Sequence, residues 1–337
     1  MVSSKDVAAK AGVSQTTVSR VLNAPNTVKE PTRLRVLKAI EDLGYIPNAN
    51  ARNLVCQKTH TISLISGPLH NPFYVDTTSE IVNFATQVGY KVNVHFTTTE
   101  NTSEAYDLAL SNKIDGLILS CILFNDPIIN RLKKLDIPFI SFNRKHEYAG
   151  NFVEIDNTLA GQQALEHLID YGHRDILWIG ATDIVSTFRN RLMGFKIAYE
   201  KFKLKYSDLH IRAINYKQLD KPDLHNMLTT LVHSQRLPTA ICAATDSIAI
   251  DAIDILISLG VSVPDQISVI GIDNVDISKN KLIQLTTIGT EDNSRLGLIA
   301  IQELISLIEA KEQNIYYQTP RITKPTTLYL RGSTRKL

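Results

Sequence analysis

Ser14, Gln15, Thr16, Thr17, Ser19, Arg20 and Asn23 bring short hydroxyls, two amides and a guanidinium together in one brief stretch. Such groups pair with nucleic acid: hydroxyls and amides with phosphate oxygens, and an arginine fork with the base edge of guanine. That chemistry needs an exposed helix face. Ser14 is an N-cap type, so the helix is expected to start at Gln15. At about 100° per residue Val18, Val21 and Leu22 share one apolar arc, opposite Thr16 and Arg20 and their neighbours Thr17 and Ser19. Upstream, Ser3 and Asp6 have capping-box spacing before Val7–Ala11, and Gly12 permits a sharp turn into the second helix. Small amphipathic helix pairs also occur in proteins that never meet DNA, but this pairing is that of a helix-turn-helix. In that arrangement Gln15, Thr16 and Arg20 are expected to read bases, while Ser14, Thr17 and Ser19 hold phosphates.

A third helix is expected from about Pro31 to Leu43, with Val36, Ile40 and Leu43 at helical spacing and Gly44 beyond its end. Charge follows the same division. Residues 1–58 carry nine Lys or Arg against four Asp or Glu, a net +5 in a chain whose total is +2, so the basic excess sits on the head.

From Thr61 the pattern changes to short β-branched runs alternating with helical stretches. Strands are expected at Ile62–Ile65, Val92–Val94, Gly116–Leu119, Phe139–Phe142, Ile176–Ile179, Ala240–Ala243 and Ser268–Gly271. Amphipathic segments between most of them make these βαβ units in parallel sheets, too many for one comfortable sheet and so two lobes. Ligands bind such folds at the strand ends that face a cleft.

The residues resemble the lactose-repressor/galactose-repressor (LacI/GalR) family of transcriptional regulators. In the head the resemblance lies in Lys5-Asp6-Val7-Ala8, Ala11-Gly12-Val13-Ser14, Thr17 to Asn23, and Leu43-Gly44-Tyr45 with Pro47-Asn48. In the body it lies in Asn71-Pro72-Phe73, Asp156-Asn157, Gly161, Gly172-His173-Arg174, Arg191 with Gly194-Phe195, Asp246 with Ala249, Gly271 with Asp273-Asn274, Leu285 to Ile288, and Leu330 to Ser333. The resemblance implies an α/β protein in three parts: a helix-turn-helix DNA-binding head over 1–46, a hinge over 47–58, and over 59–337 a two-lobed effector-binding and dimerisation body akin to periplasmic binding proteins. The chain would cross between lobes near 160, 290 and 325. It also implies that the hinge becomes helical on operator DNA, with Leu54 entering the minor groove beside Ala51 and Arg52. The chain departs from the family pattern in four places. Val55 stands where a basic residue is common, Ser4 where an apolar one is, Lys29 where Ser or Thr is, and Gly289-Thr290-Glu291 replaces a usual Gln-Pro.

The resemblance further places Arg191 and Asp273 at positions that grip a small polar effector, with donors and acceptors suited to vicinal hydroxyls. Phe73, Asn143, Arg144, Arg189, Tyr216 and Asp246 are further cleft candidates, and Phe73 or Tyr216 offers a face for a sugar ring. The competing reading is that Arg191 and Asp273 pair with each other across the cleft and stabilise closure.

At 337 residues, and roughly 150 per domain, two or three domains are expected. Hydrophobic residues at 44% and charged ones at 21% exclude the disordered and membrane classes. No apolar run approaches the roughly 20 residues that span a bilayer, and a polar capped helix stands where a signal peptide would be, so a cytoplasmic protein is expected, on the nucleoid when bound to DNA. Cys56, Cys121 and Cys242 lack metal-ligand spacing and read as reduced packing thiols. No nucleophile and base pair, metal cluster or phosphate loop stands out, and His173 reads as structural, so neither enzyme activity nor a cofactor is expected. The expected function is a homodimeric bacterial repressor on pseudo-palindromic double-stranded operator DNA, modulated by a small-molecule effector, a sugar by preference. The alternatives are a corepressor, purine or partner protein, that tightens DNA binding, and a transport-type sugar-binding protein, which the head argues against. The chain's end at Leu337 without heptads favours a dimer over a tetramer.

Overall fold

The computed structural model describes residues 2–45, 58–98, 101–148, 150–181, 184–216, 221–291 and 294–337, which fall into two compact units, one up to residue 59 and one from 60 onward. The hinge residues Ala51, Arg52 and Leu54, with Val55, lie outside the described residues.

In the first unit, α1 (Ser4–Ala11) opens with the expected capping box: Ser3 Oγ accepts from Asp6 N–H, and Asp6 Oδ2 accepts from Ser3 N–H at 2.8 Å. These Ser3 bonds, the backbone one first, hold the Asp6 carboxyl below its usual pKa. Gly12 ends the helix at φ 63°, a left-handed turn that a side chain would strain. Ser14 Oγ then accepts from Thr17 N–H at 3.1 Å and starts α2 (Gln15–Asn23). α3 (Glu30–Leu43) has Pro31 in its first turn and left-handed Gly44 after its end, while Lys29 offers no side-chain cap. Val7, Ala8, Ala11, Val18, Val21, Val36 and Ala39 form a small core, with Leu22, Ile40 and Leu43 packed against it.

The second unit holds two six-stranded sheets. In chain order the first contains β1 (Thr61–Ser66), α4 (Pro72–Gln87), β2 (Lys91–Phe96), α5 (Thr102–Ser111), β3 (Gly116–Leu119), α6 (Ile128–Leu135), β4 (Phe139–Phe142) and β5 (Phe152–Ile155). The second contains α7 (Asn157–Asp170), β6 (Asp175–Ala181), α8 (Ser186–Lys203), β7 (His210–Tyr216), α9 (Lys221–His233), β8 (Ala240–Ala243), α10 (Asp246–Ser258), β9 (Ser268–Asp273) and β10 (Thr286–Gly289). The chain then returns as α11 (Ser294–Glu312) and β11 (Arg321–Lys324) to the first lobe, and ends with β12 (Thr327–Tyr329) in the second. It passes between lobes at Asp156, between β10 and α11, and at residues 325–326.

Sheet one has the order β11-β5-β4-β3-β1-β2 and is parallel throughout. Sheet two runs β12-β10-β9-β8-β6-β7 and is parallel, as expected, except at its edge, where β12 pairs antiparallel with β10. After the short turn at 325–326 the chain lays an edge strand along β10 and then stitches its tail beneath sheet two. Ser333 Oγ donates to Val269 O at 2.6 Å and accepts from Thr286 N–H at 2.8 Å, while Arg331 donates to Leu285 O and Asn274 Oδ1, both at 2.6 Å.

Within the second lobe two glycines set how closely α7 and α8 approach. A Cβ on Gly161 would lie 2.0 Å from Arg191 O, and one on Gly194 would lie 1.8 Å from Thr158 O. Only glycine allows this contact, and it brings the first turn of α7 against the turn of α8 that carries Arg191.

Candidate functional site

The head exposes the predicted face of α2. Gln15, Thr16, Ser19 and Arg20 are exposed and Thr17 is half-buried, while Val18 and Val21 are buried beneath them. Arg20 has no intramolecular partner among the described residues. Gln15 has one: its Nε2 donates to Ser4 Oγ at 2.9 Å, so the polar residue where the family pattern is apolar tethers the leading residue of α2. Ser14 and Thr17 share a hydroxyl contact of 2.9 Å besides the helix cap. Asn23 is the last residue of α2.

The second constellation gathers at the carboxyl ends of both sheets. Arg191, 1% exposed, donates Nε to Asn157 Oδ1 at 2.8 Å, one terminal nitrogen to Ala244 O at 2.7 Å and the other to Asp273 Oδ1 at 2.6 Å. The pair forms, but all of these partners belong to the second lobe. It is therefore no latch across the cleft, and that competing reading is corrected. Its role is to hold the end of β9, where Asp273 has φ 144° and Asn274 φ 53°, unusual backbone for non-glycine residues and of the kind found at functional sites. Burial raises the pKa of Asp273, opposed by the charge of Arg191.

Asp246, at the start of α10, is fully buried and committed: Oδ2 accepts from Val275 N–H at 3.0 Å and Oδ1 from the Thr287 hydroxyl at 2.5 Å. Burial, and then the negative charge of Asp273, raise its pKa. It braces the loop after β9 rather than offering a free carboxylate.

On the facing wall, Phe73 stacks on Phe142 with ring centres 5.9 Å apart and meets Tyr74 edge-on. Arg144, half-buried, donates to the Tyr74 hydroxyl at 3.0 Å and reaches Cys121 O at 3.4 Å. Asn143 turns the chain after β4 with φ 65°. The walls touch at several points. Lys145 N–H donates to Ser186 Oγ at 2.9 Å, Asp276 N–H to Asp76 Oδ2 at 3.0 Å, Phe124 N–H to Ile184 O at 2.9 Å, and the Arg189 guanidinium lies 4.6 Å from the Phe124 ring centre.

A capped helix pair with an exposed polar face and a strand-end cleft in one chain have a counterpart among known proteins. Residues 4–48 match the bacterial regulatory proteins of the lacI family, and residues 59–325 match the periplasmic binding proteins and sugar binding domain of LacI family. The chain belongs to the LacI family. It is thus a DNA-binding transcriptional repressor with an effector-binding body. The HTH-type transcriptional repressor PurR of Aliivibrio fischeri (strain MJ11) is 31% identical over 329 residues, covering 96% of this chain and 97% of the relative. The fold is shared with the lac repressor dimer bound to operator and the anti-inducer ONPF, at TM-score 0.79, 24% identity and 99% coverage of both chains. It is shared too with the transcriptional regulator CelR in complex with cellobiose, at TM-score 0.69 and 23% identity, covering 99% of this chain and all of that one.

For this LacI-family regulator the structure brings together Arg191, Asp273 and Asp246 on one wall and Phe73, Asn143 and Arg144 on the other, with Arg189 reaching between them. Tyr216 ends β7, next to residues outside the description, and its side chain is not described. Three residues that sequence reasoning passed over belong to the constellation. Asn157 positions Arg191, Tyr74 positions Arg144, and Phe124 receives Arg189. Asn157 and Tyr74 stand inside or beside motifs already singled out, which was the available signal. Phe124 lies in an irregular loop with no periodicity to mark it. His173 is wholly buried, its ring nitrogens meeting Thr239 Oγ1 and Arg335 O.

Proposed function

We propose that this LacI-family repressor works as a homodimer on a pseudo-palindromic operator and that a sugar or sugar derivative, held in the cleft by Arg191 and Asp273, weakens its grip on DNA. Gln15, Thr16 and Arg20 read base edges in the major groove, with Ser14, Thr17, Ser19 and Asn23 on phosphates and Ala51, Arg52 and Leu54 at the minor groove. The observation that carries the reading is the exposed Thr16 and Arg20 face of α2, backed by Val18 and Val21, in the same chain as the Arg191 and Asp273 constellation. The protein acts by binding rather than catalysis, needs no cofactor and resides in the cytoplasm. No helix of the described residues is long and apolar enough to cross a membrane.

The test is a titration of operator affinity, at fixed salt, in the presence of sugars, sugar derivatives and purines. A sugar that lowers operator affinity supports the reading. A purine that raises it transfers the cleft to the corepressor class, and unchanged operator affinity with every bound ligand sinks the coupling.

A further inference from the structure

Among the described residues no carboxylate pairs with Arg144. The Arg144 side chain is half-buried, and its Nε is shut away from solvent without a hydrogen-bond partner. Its other nitrogens meet a phenol, Tyr74, and a long contact to a peptide oxygen, that of Cys121. Elsewhere in the body Arg191 is matched with Asp273, Arg212 with Asp175, and Lys145 with buried Glu154 at 2.5 Å. Tyr74 is itself fixed, since a Cβ on Gly67 would fall 2.1 Å from its ring.

The surroundings of Arg144 do not supply the missing charge by ionising. Burial pushes the Tyr74 phenol, the Tyr106 phenol and the Cys121 thiol upward, so each stays neutral, although the positive charge of Arg144 pulls all three the other way. On the facing wall Asp273 is taken by Arg191, and Asp246 by Thr287 and Val275. Arg189, extending from the second lobe over Phe124, has no carboxylate partner among the described residues either. Both lobes therefore bring an unmatched guanidinium to this region. A cation drawn partly out of water with only neutral partners is costly, and an anion delivered to it gains more than the same pair would in bulk solvent.

We propose that the effector carries an anionic group, a phosphate or a carboxylate, and that Arg144 is its seat. The proposal rests on the cleft reading and sharpens it. Arg191 and Asp273 serve the hydroxyls, and Arg144, whose planar fork suits a two-oxygen acceptor, serves the charge. A neutral sugar would leave Arg144 as it stands now, held by a phenol and a peptide oxygen.

The experiment uses the full-length protein at constant ionic strength and compares wild type, Arg144→Met, Arg144→Lys and Asp273→Asn. The probes are inorganic phosphate alone, ribose and ribose 5-phosphate, and glucose, glucose 6-phosphate and gluconate. Melting temperature and calorimetric affinity are the readouts. Inorganic phosphate is expected to raise the melting temperature of wild type but not of Arg144→Met, whose ligand-free melting temperature matches or exceeds that of wild type. An anionic sugar is expected to bind at least tenfold tighter than its neutral parent, with that advantage erased by Arg144→Met and partly kept by Arg144→Lys. If the neutral parent binds as tightly as the anionic form, the cleft reading survives and the anion seat is overturned. The seat is also overturned if the anion advantage persists in Arg144→Met, or if no probe distinguishes that variant from wild type. Anion binding indifferent to both Arg144→Met and Asp273→Asn overturns the cleft reading itself.

Discussion

Among the described residues Asp273 is the one carboxylate bonded to Arg191, so replacing it by alanine strands a guanidinium that is 1% exposed. Breaking a buried ion pair from one side typically costs about 3–5 kcal/mol, because the surviving charge is left without compensation. Asp273→Ala is therefore expected to lower unfolding stability by about that amount in denaturant titrations, whereas Asp273→Asn, which keeps the shape and one acceptor, loses less and is the better variant for testing effector response. A stability loss under about 1 kcal/mol for the alanine variant would mean that Arg191 finds other partners. In the head the accounting differs, because the exposed Arg20 side chain has no partner among the described residues and its removal leaves the fold unstrained. Arg20→Ala should keep the wild-type melting temperature yet lose about 1–3 kcal/mol of preference for operator over random DNA. Equal losses on both DNAs in anisotropy titrations would reassign Arg20 to phosphate. Gln15, proposed above to read a base, is held by Ser4, so Ser4→Ala frees it and is expected to change base preference at one position without altering the salt dependence.

Between residue and lobe stand the elements that aim these side chains, and the pair α7 and α8 is the clearest case. Gly194→Ala would drive a methyl to within 1.8 Å of Thr158 O, so the helices must part. Overpacking of this kind costs about 1–3 kcal/mol, and here it also withdraws Arg191 from Asn157. The variant is expected to melt earlier and to lose effector affinity while retaining operator affinity, and intact effector binding measured by calorimetry would show that this contact does not aim Arg191. The carboxyl-terminal tail is tied to α7 in another way, by His167 meeting Thr334 Oγ1 at 3.0 Å. Burial, aided by the charge of His173, depresses the His167 pKa to about 4 from 6.5. Between those values the unfolded chain holds a proton that the native imidazole refuses, so this contribution is complete above pH 6.5 and is lost as pH falls towards 4. Asp246 acts with the opposite sign, since its raised pKa favours the native state at acid pH and less so as pH rises. The clean measurement is thus the wild-type stability minus that of His167→Gln across this range: the difference should slope by up to about 1.4 kcal/mol per pH unit, and a flat difference would count against the assignment.

The same elements show what the sequence made legible. The three head helices stand out because each has its own cap signal, Ser3 with Asp6, Ser14, and Gly44. The central strands β1, β3, β4, β6, β8 and β9 stand out because apolar runs between helical stretches have few other readings. β5 was missed although all four of its residues are buried, because Glu154 interrupts the run and only its contacts with Lys145 and Asn157 make that burial tolerable. β11, Arg321 to Lys324, is an edge strand with charged ends, and β12 pairs antiparallel through only three residues. In the site, Arg191 and Asp273 were legible from motif positions. That their partners all come from one lobe was not, since it depends on contacts between residues 34 and 82 positions apart.

At the scale of the whole molecule the question is what an occupied cleft changes. The two lobes are held by three chain crossings and by a few directional contacts, among them Lys145 N–H to Ser186 Oγ and Asp276 N–H to Asp76 Oδ2. Each is an ordinary hydrogen bond, worth roughly 0.5–1.5 kcal/mol net. Removing both acceptors, as in Ser186→Ala with Asp76→Ala, should therefore weaken closure by about 1–3 kcal/mol without touching Arg191, Asp273 or Arg144. If the effector binds the closed body, its apparent affinity falls by the same free energy, about fivefold to two-hundredfold, because it must supply the closure that these contacts no longer favour. Operator affinity without effector reports the other half of the linkage. A ligand that weakens DNA binding by favouring closure implies that an opened variant holds operator at least as tightly as wild type, since a ligand shifts only an equilibrium between states that it binds unequally. The decisive pattern in the double variant is weakened effector binding together with unchanged or strengthened operator binding. Weakened binding of both would mean that closure serves the DNA-bound state, and the effector would then be a corepressor rather than an inducer.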